Sequence, residues 1–132
     1  MKKMKFLLPE GWESPKGYSQ GVVAEGRQIF ISGQIGWDEN SIFQTDDFAE
    51  QAGQALRNII SILAEADASA EHITRLTWFI TDKQEYLASL KSLGQKYREE
   101  VGRHFPAMSV VEVSSLMEDR AKVEIEATAV IS

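Results

Sequence analysis

The 132-residue sequence contains no cysteine. That absence excludes disulfides, thiolate catalysis and zinc–thiolate sites together. Histidine is scarce as well: His72 and His104 lie far apart and lack the i, i+4 spacing of a metal-binding pair, so a packing or surface role is expected for each and no metal site is expected. A surplus of positive charge is missing too. Fourteen Lys and Arg stand against 20 Asp and Glu, a net charge of −6, and no cationic cluster exceeds Lys2, Lys3 and Lys5. Phosphate-backbone binders draw affinity from clustered cations that displace counterions, so this balance weighs against a nucleic-acid partner. No apolar run approaches the ~20 residues of a membrane span. The basic start leads only to Phe6-Leu7-Leu8 before Pro9, too short an apolar segment for a signal peptide. The expectation is a single cytoplasmic domain, residues 1–132, with no membrane partner.

The 43% apolar and 26% charged residues present are those of a globular core with a solvated surface. Two β-rich runs, Gly21–Ala24 and Arg27–Ile31, flank Glu25-Gly26, and this spacing predicts a tight hairpin. "SGQIGWDEN" is expected to break the second strand. Residues 47–66 carry the clearest helical pattern, opened by Asp47 and Glu50 as a capping box, with Phe48, Ala52, Leu56, Ile59 and Leu63 on one face. "ITRLTWFIT" (73–81) reads as a strand. A second helix starts after Asp82, with Leu87, Leu90, Gly94, Tyr97 and Val101 sharing a face, and Gly102 and Pro106 end it. Two further strands, 108–116 and 121–131, flank "MEDR". The last places Val123, Ile125, Ala127, Ala129 and Ile131 on one side and Lys122, Glu124, Glu126 and Thr128 on the other.

The predicted order is β-β-α-β-α-β-β, an α+β two-layer sandwich with a mixed sheet and two helices on one face. Several strands are apolar on both sides: Phe30 opposes Ile29 and Ile31, and Phe79 opposes Trp78 and Ile80. A sheet with one solvated face would alternate, so the second face is expected to be buried in a homo-oligomer.

Few residues suggest chemistry unaided. "SGQIG" lacks the Lys-Ser/Thr of a phosphate loop, and Ser32 lacks the pattern of a nucleophile elbow. Glu124 and Glu126 lie on a strand face expected to be partly covered. A carboxylate there must find partners or take up a proton, the setting in which a general acid/base is tuned. Trp12, Tyr18 and Trp37 sit in glycine-rich loops, as surface anchors or as aromatic walls of a cleft.

"GYSQGV" (17–22), "IFISGQIG" (29–36), "FPAMSVVEV" (105–113) and "KVEIEATAV" (122–130) resemble, in order and spacing, signature stretches of the Rid (YjgF-type, RidA-like) family, whose best-known members are enamine/imine deaminases. The resemblance spans essentially the whole chain. It implies a chorismate-mutase-like fold and a homotrimer with small-molecule clefts between subunits. It also implies that Tyr18, Ser32 and Gly33 line the cleft, that Glu124 positions the attacking water, and that no metal or organic cofactor is required. In the deaminase pattern the residue after "FPA" is an arginine that grips the substrate carboxylate; here it is Met108. An asparagine of archetypal members aligns with Leu90. Both departures exchange polar for apolar, which implies a changed ligand, and Arg103 and Arg120 are the candidates for a displaced cation. The readings that follow are a deaminase of a non-standard imine, a metabolite-binding protein without turnover and, last, an endoribonuclease or translation inhibitor.

Overall fold

The computed structural model describes residues 4–132; the basic pair Lys2-Lys3 lies outside the described residues. Six strands and three helices follow in the order β1 (Lys5–Leu7), β2 (Gly21–Val23), β3 (Arg27–Ile35), α1 (Phe48–Ala64), β4 (Ile73–Ile80), α2 (Lys83–Ala88), α3 (Leu90–Glu100), β5 (Ala107–Glu112) and β6 (Val123–Ile131). A four-stranded sheet, ordered β3-β6-β4-β5, is antiparallel except for the β4–β5 pair, which runs parallel. Helices α1 and α3 pack on each other, and the core lies between them and one sheet face. This is the α+β sandwich expected from the pattern, and the chorismate-mutase-like fold that the resemblance implies.

Helix α1 begins where its cap predicts: the Asp47 carboxylate accepts from the Glu50 amide at 3.0 Å. Leu56, Ile59 and Leu63 are fully buried against Ile73, Leu76, Val123 and Ile125. Each such side chain contributes about 1.5–3 kcal/mol of burial. Strand β6 alternates as predicted, with Val123, Ile125, Ala127 and Ala129 buried.

Four local expectations are corrected. The Glu25-Gly26 hairpin does not form: β2 pairs with β1, and β3 pairs with β6. Gly26 instead serves a close approach, since a Cβ there would lie 2.0 Å from the Ile131 carbonyl oxygen, and its φ is +141°. Strand β3 does not break at "SGQIG" but runs to Ile35, because a bulge between Ile31 and Gln34 absorbs the irregularity. The second helix divides at Ser89, whose hydroxyl donates to the Glu85 carbonyl at 2.8 Å. The division turns Leu87 and Leu90 outward, 46% and 50% exposed, while Leu93, Tyr97 and Val101 stay buried. Strand β5 ends at Glu112 rather than continuing to 116.

Candidate functional site

The sheet separates the residues singled out in the sequence into two groups. On the face away from the helices, the β3 bulge brings Ser32 and Gly33 beside β6. The Glu124 side chain fills the space that a side chain at position 33 would occupy: a Cβ on Gly33 would lie 2.0 Å from Glu124 Oε2. Glu124 is half-buried and has no hydrogen-bond or ion-pair partner among the described residues. Its cross-strand neighbour on β4 is Phe79, which in turn pairs with Val111. The Gln34 side-chain amide donates to the Ser32 carbonyl at 3.1 Å and stiffens the bulge. Glu126 is exposed.

On the helix face, Met108 and Val110 stand beside Leu76 and Trp78 in the β4–β5 register. They form one wall of a half-open cavity of about 600 Å³, bounded on the other side by α2 and α3 and flanked by the loop carrying Tyr18. Tyr18, Leu90 and Met108 therefore meet here, and Glu124, Ser32 and Gly33 do not join them within one chain. The loop is held by the Ser19 amide, which donates to the Pro106 carbonyl at 3.0 Å, and by the Ser19 hydroxyl on the Phe105 carbonyl. These bonds tie Ser19, the residue after Tyr18, to the segment that leads into β5. The Tyr97 hydroxyl donates to the His104 carbonyl at 2.6 Å, and His104 Nε2 lies 2.7 Å from the Ile73 carbonyl, so the entry to β5 is pinned from both sides. Burial pushes the phenols of Tyr97 and Tyr86 above their ordinary range, and both phenols stay neutral near pH 7.

The cations expected from the sequence lie elsewhere. Arg120 is engaged by Asp46 at 3.0 Å and by the ring of Phe43, and Arg103 is not in the cavity wall. The cavity carries Lys16 and Arg98 instead, neither of which the sequence pattern marks. Trp12 is 59% exposed and borders a shallower depression next to Lys16 and Tyr18, whereas Trp37 packs on Phe43 away from both sites. His72 closes the turn before β4, its Nδ1 accepting from the Ser69 amide at 3.0 Å. No cluster of three His, Cys, Asp or Glu suited to a metal ion occurs among the described residues. No helix among them is long and apolar enough to cross a membrane.

The family model described as endoribonuclease L-PSP matches residues 12–131. The chain belongs to this family, the Rid or YjgF family. The chain is 35% identical over 113 residues to a 2-iminobutanoate/2-iminopropanoate deaminase of Salmonella typhimurium, covering 86% of each protein. The human protein of the same description is 32% identical, over 86% of this chain and 79% of its own. Among solved structures, a Rid-family protein from Yersinia pestis, itself of unknown function, superposes with a TM-score of 0.86 at 27% identity, covering 98% of this chain and all of its own. Escherichia coli TdcF with bound serine gives a TM-score of 0.70 at 32% identity, covering 97% and 99%.

Proposed function

We propose that this Rid protein is a homotrimer that hydrolyses a non-standard enamine or imine at a small-molecule site between subunits. One subunit supplies Glu124, Ser32 and Gly33, and the next supplies the cavity of Tyr18 and Met108. The observation that carries this reading is the half-buried Glu124 carboxylate, lodged over Gly33 without a partner. An unpaired carboxylate in that setting is available to hold a water and take its proton. Water adds to the imine carbon and gives one proton to Glu124. That proton passes to nitrogen to give a carbinolamine; its hydroxyl proton is then transferred to nitrogen as the C–N bond breaks and the C=O forms, and ammonia leaves behind a carbonyl compound. An enamine first tautomerises to the imine. The imine carbon is already electrophilic, so the step calls for positioning and base assistance and for no metal or organic cofactor.

Met108 argues against 2-aminoacrylate as the substrate. A thioether offers neither charge nor donor, and hydrogen bonds to a charged group contribute about 1.5–3 kcal/mol each. That same substitution supports the second reading, a binding protein without turnover. Ribonuclease action is the weakest reading, given the net charge of −6 and the lack of a basic surface cluster in the sequence. Ammonia release from freshly generated amino-acid imines is expected to fall by about 10²–10⁴ in Glu124→Gln while the oligomer survives. Undiminished turnover in that variant would remove Glu124 from the chemistry. Saturable binding with no ammonia from the wild type would favour the binding protein.

A further inference from the structure

The cavity has a size and a charge pattern that do not suit a substrate as small as the imine of alanine. Its volume of about 600 Å³ is that of a site for a ring-bearing ligand. The wall contains no carboxylate. Its charged members are the cations Lys16 and Arg98, on a chain whose net charge is −6. Neither cation has a hydrogen bond or ion pair among the described residues. Arg57, Lys96, Arg120 and Lys122 are each engaged by a carboxylate; among the described cations without such a partner, Lys16 and Arg98 are the two that line the cavity.

Two further features point inward. Gly94 lies inside α3, where glycine costs about 0.5–1 kcal/mol relative to alanine. A Cβ there would meet only Arg98 Nη1, at 3.6 Å, an ordinary contact, so the wall is open at this point and a side chain longer than alanine would fill the space beside the guanidinium. Trp78, in the same wall and only 3% exposed, has an indole N–H that finds no acceptor among the described residues. A buried donor left unpaired is costly.

We propose that the cavity is the side-chain and carboxylate pocket for an aryl-bearing 2-imino acid and its 2-keto product. The ring lies between Met108, Val110 and the helix face at Gly94. The carboxylate is held at the rim by Arg98, with Lys16 adding charge. Arg98 thus supplies from α3 the cation that position 108 does not. The assignment rests on the deaminase reading for the reaction, but the pocket itself is testable without turnover.

The test is calorimetric titration of the intact protein with phenylpyruvate, pyruvate and the neutral ketone 1-phenylpropan-2-one. Phenylpyruvate is expected to bind at least about tenfold more tightly than either of the others. Arg98→Gln should weaken phenylpyruvate by about ten- to a hundredfold, the loss of a charge-assisted contact. Gly94→Leu, which keeps the helix and fills the space, should abolish binding. Equal affinity for pyruvate and phenylpyruvate, or phenylpyruvate binding untouched by Gly94→Leu, overturns the pocket. A neutral ketone as tight as the acid overturns the role of Arg98. Tight phenylpyruvate binding with no ammonia from the phenylalanine-derived imine would uphold the pocket while contradicting the deaminase reading.

Discussion

At the scale of single residues, the proposed chemistry depends on the fit between Glu124 and Gly33. A methyl group at position 33 would lie 2.0 Å from Glu124 Oε2 and 2.7 Å from Cγ, so the carboxylate must move aside. Moving a flexible side chain is cheap, and φ at Gly33 lies outside the left-handed region. Gly33→Ala is therefore expected to change stability by less than about 1 kcal/mol, checked by urea unfolding. Turnover should nevertheless fall by about 10²-fold, the scale of loss from displacing a reacting group by about an ångström. Full activity in this variant would mean that the observed rotamer of Glu124 is not the working one. Glu124 was legible in the sequence because strict alternation in β6 isolates it on the polar side and the flanking motif has a resemblance to lean on. Arg98 was not legible. It follows the buried Tyr97 on an amphipathic helix, where a cation ordinarily faces solvent, and its place in the cavity wall shows only in the structure.

At the scale of elements, the entry to β6 is set by one buried side chain. Gln51 is fully buried in α1 and closes three backbone contacts. Its amide donates to the Thr45 carbonyl at 3.1 Å and the Arg120 carbonyl at 3.0 Å, and the Lys122 amide donates to its oxygen at 2.9 Å. These bonds fix the chain two residues before Glu124. Gln51→Leu keeps the volume and leaves those groups unpaired, so it should destabilise the protein by about 2–4 kcal/mol, read as a lower urea midpoint at unchanged m-value. An unchanged midpoint would show that the loops hold themselves. The sequence contained the clue, a glutamine on the apolar face between Phe48 and Ala55, but periodicity alone treats it as an interruption. The same limit explains the other element-scale corrections. Glu25-Gly26 fits a hairpin turn as well as it fits the close passage by Ile131 that occurs. Ser89 breaks a helix that its neighbours would continue. Regular periodicity specified α1, β4 and β6; positions where glycine or serine has two structural uses did not declare which applied.

At the scale of the whole molecule, the outer sheet face is the unfinished surface. Phe30 is 74% exposed there and Val111 42%, beside the unpaired Glu124. Apolar strands on both sides of a sheet were the sequence's own indication of a partner, and the lone chain leaves that face uncovered. A homotrimer would cover it and bring one subunit's Glu124 to the next subunit's cavity. Light scattering should return three times the chain mass at all but the lowest concentrations, and a monomer mass independent of concentration would refute the assembly.

The most direct measurement is subunit complementation. Glu124→Gln and Gly94→Leu chains, each inactive alone on the phenylalanine-derived imine, are co-expressed under different tags and the mixed oligomer is isolated. A site shared between subunits predicts recovered ammonia release, about a third of the wild-type rate, because every mixed trimer has one junction that joins an intact Glu124 to an intact cavity. A mixed oligomer no more active than its two parents would place the whole site within one chain and contradict the account.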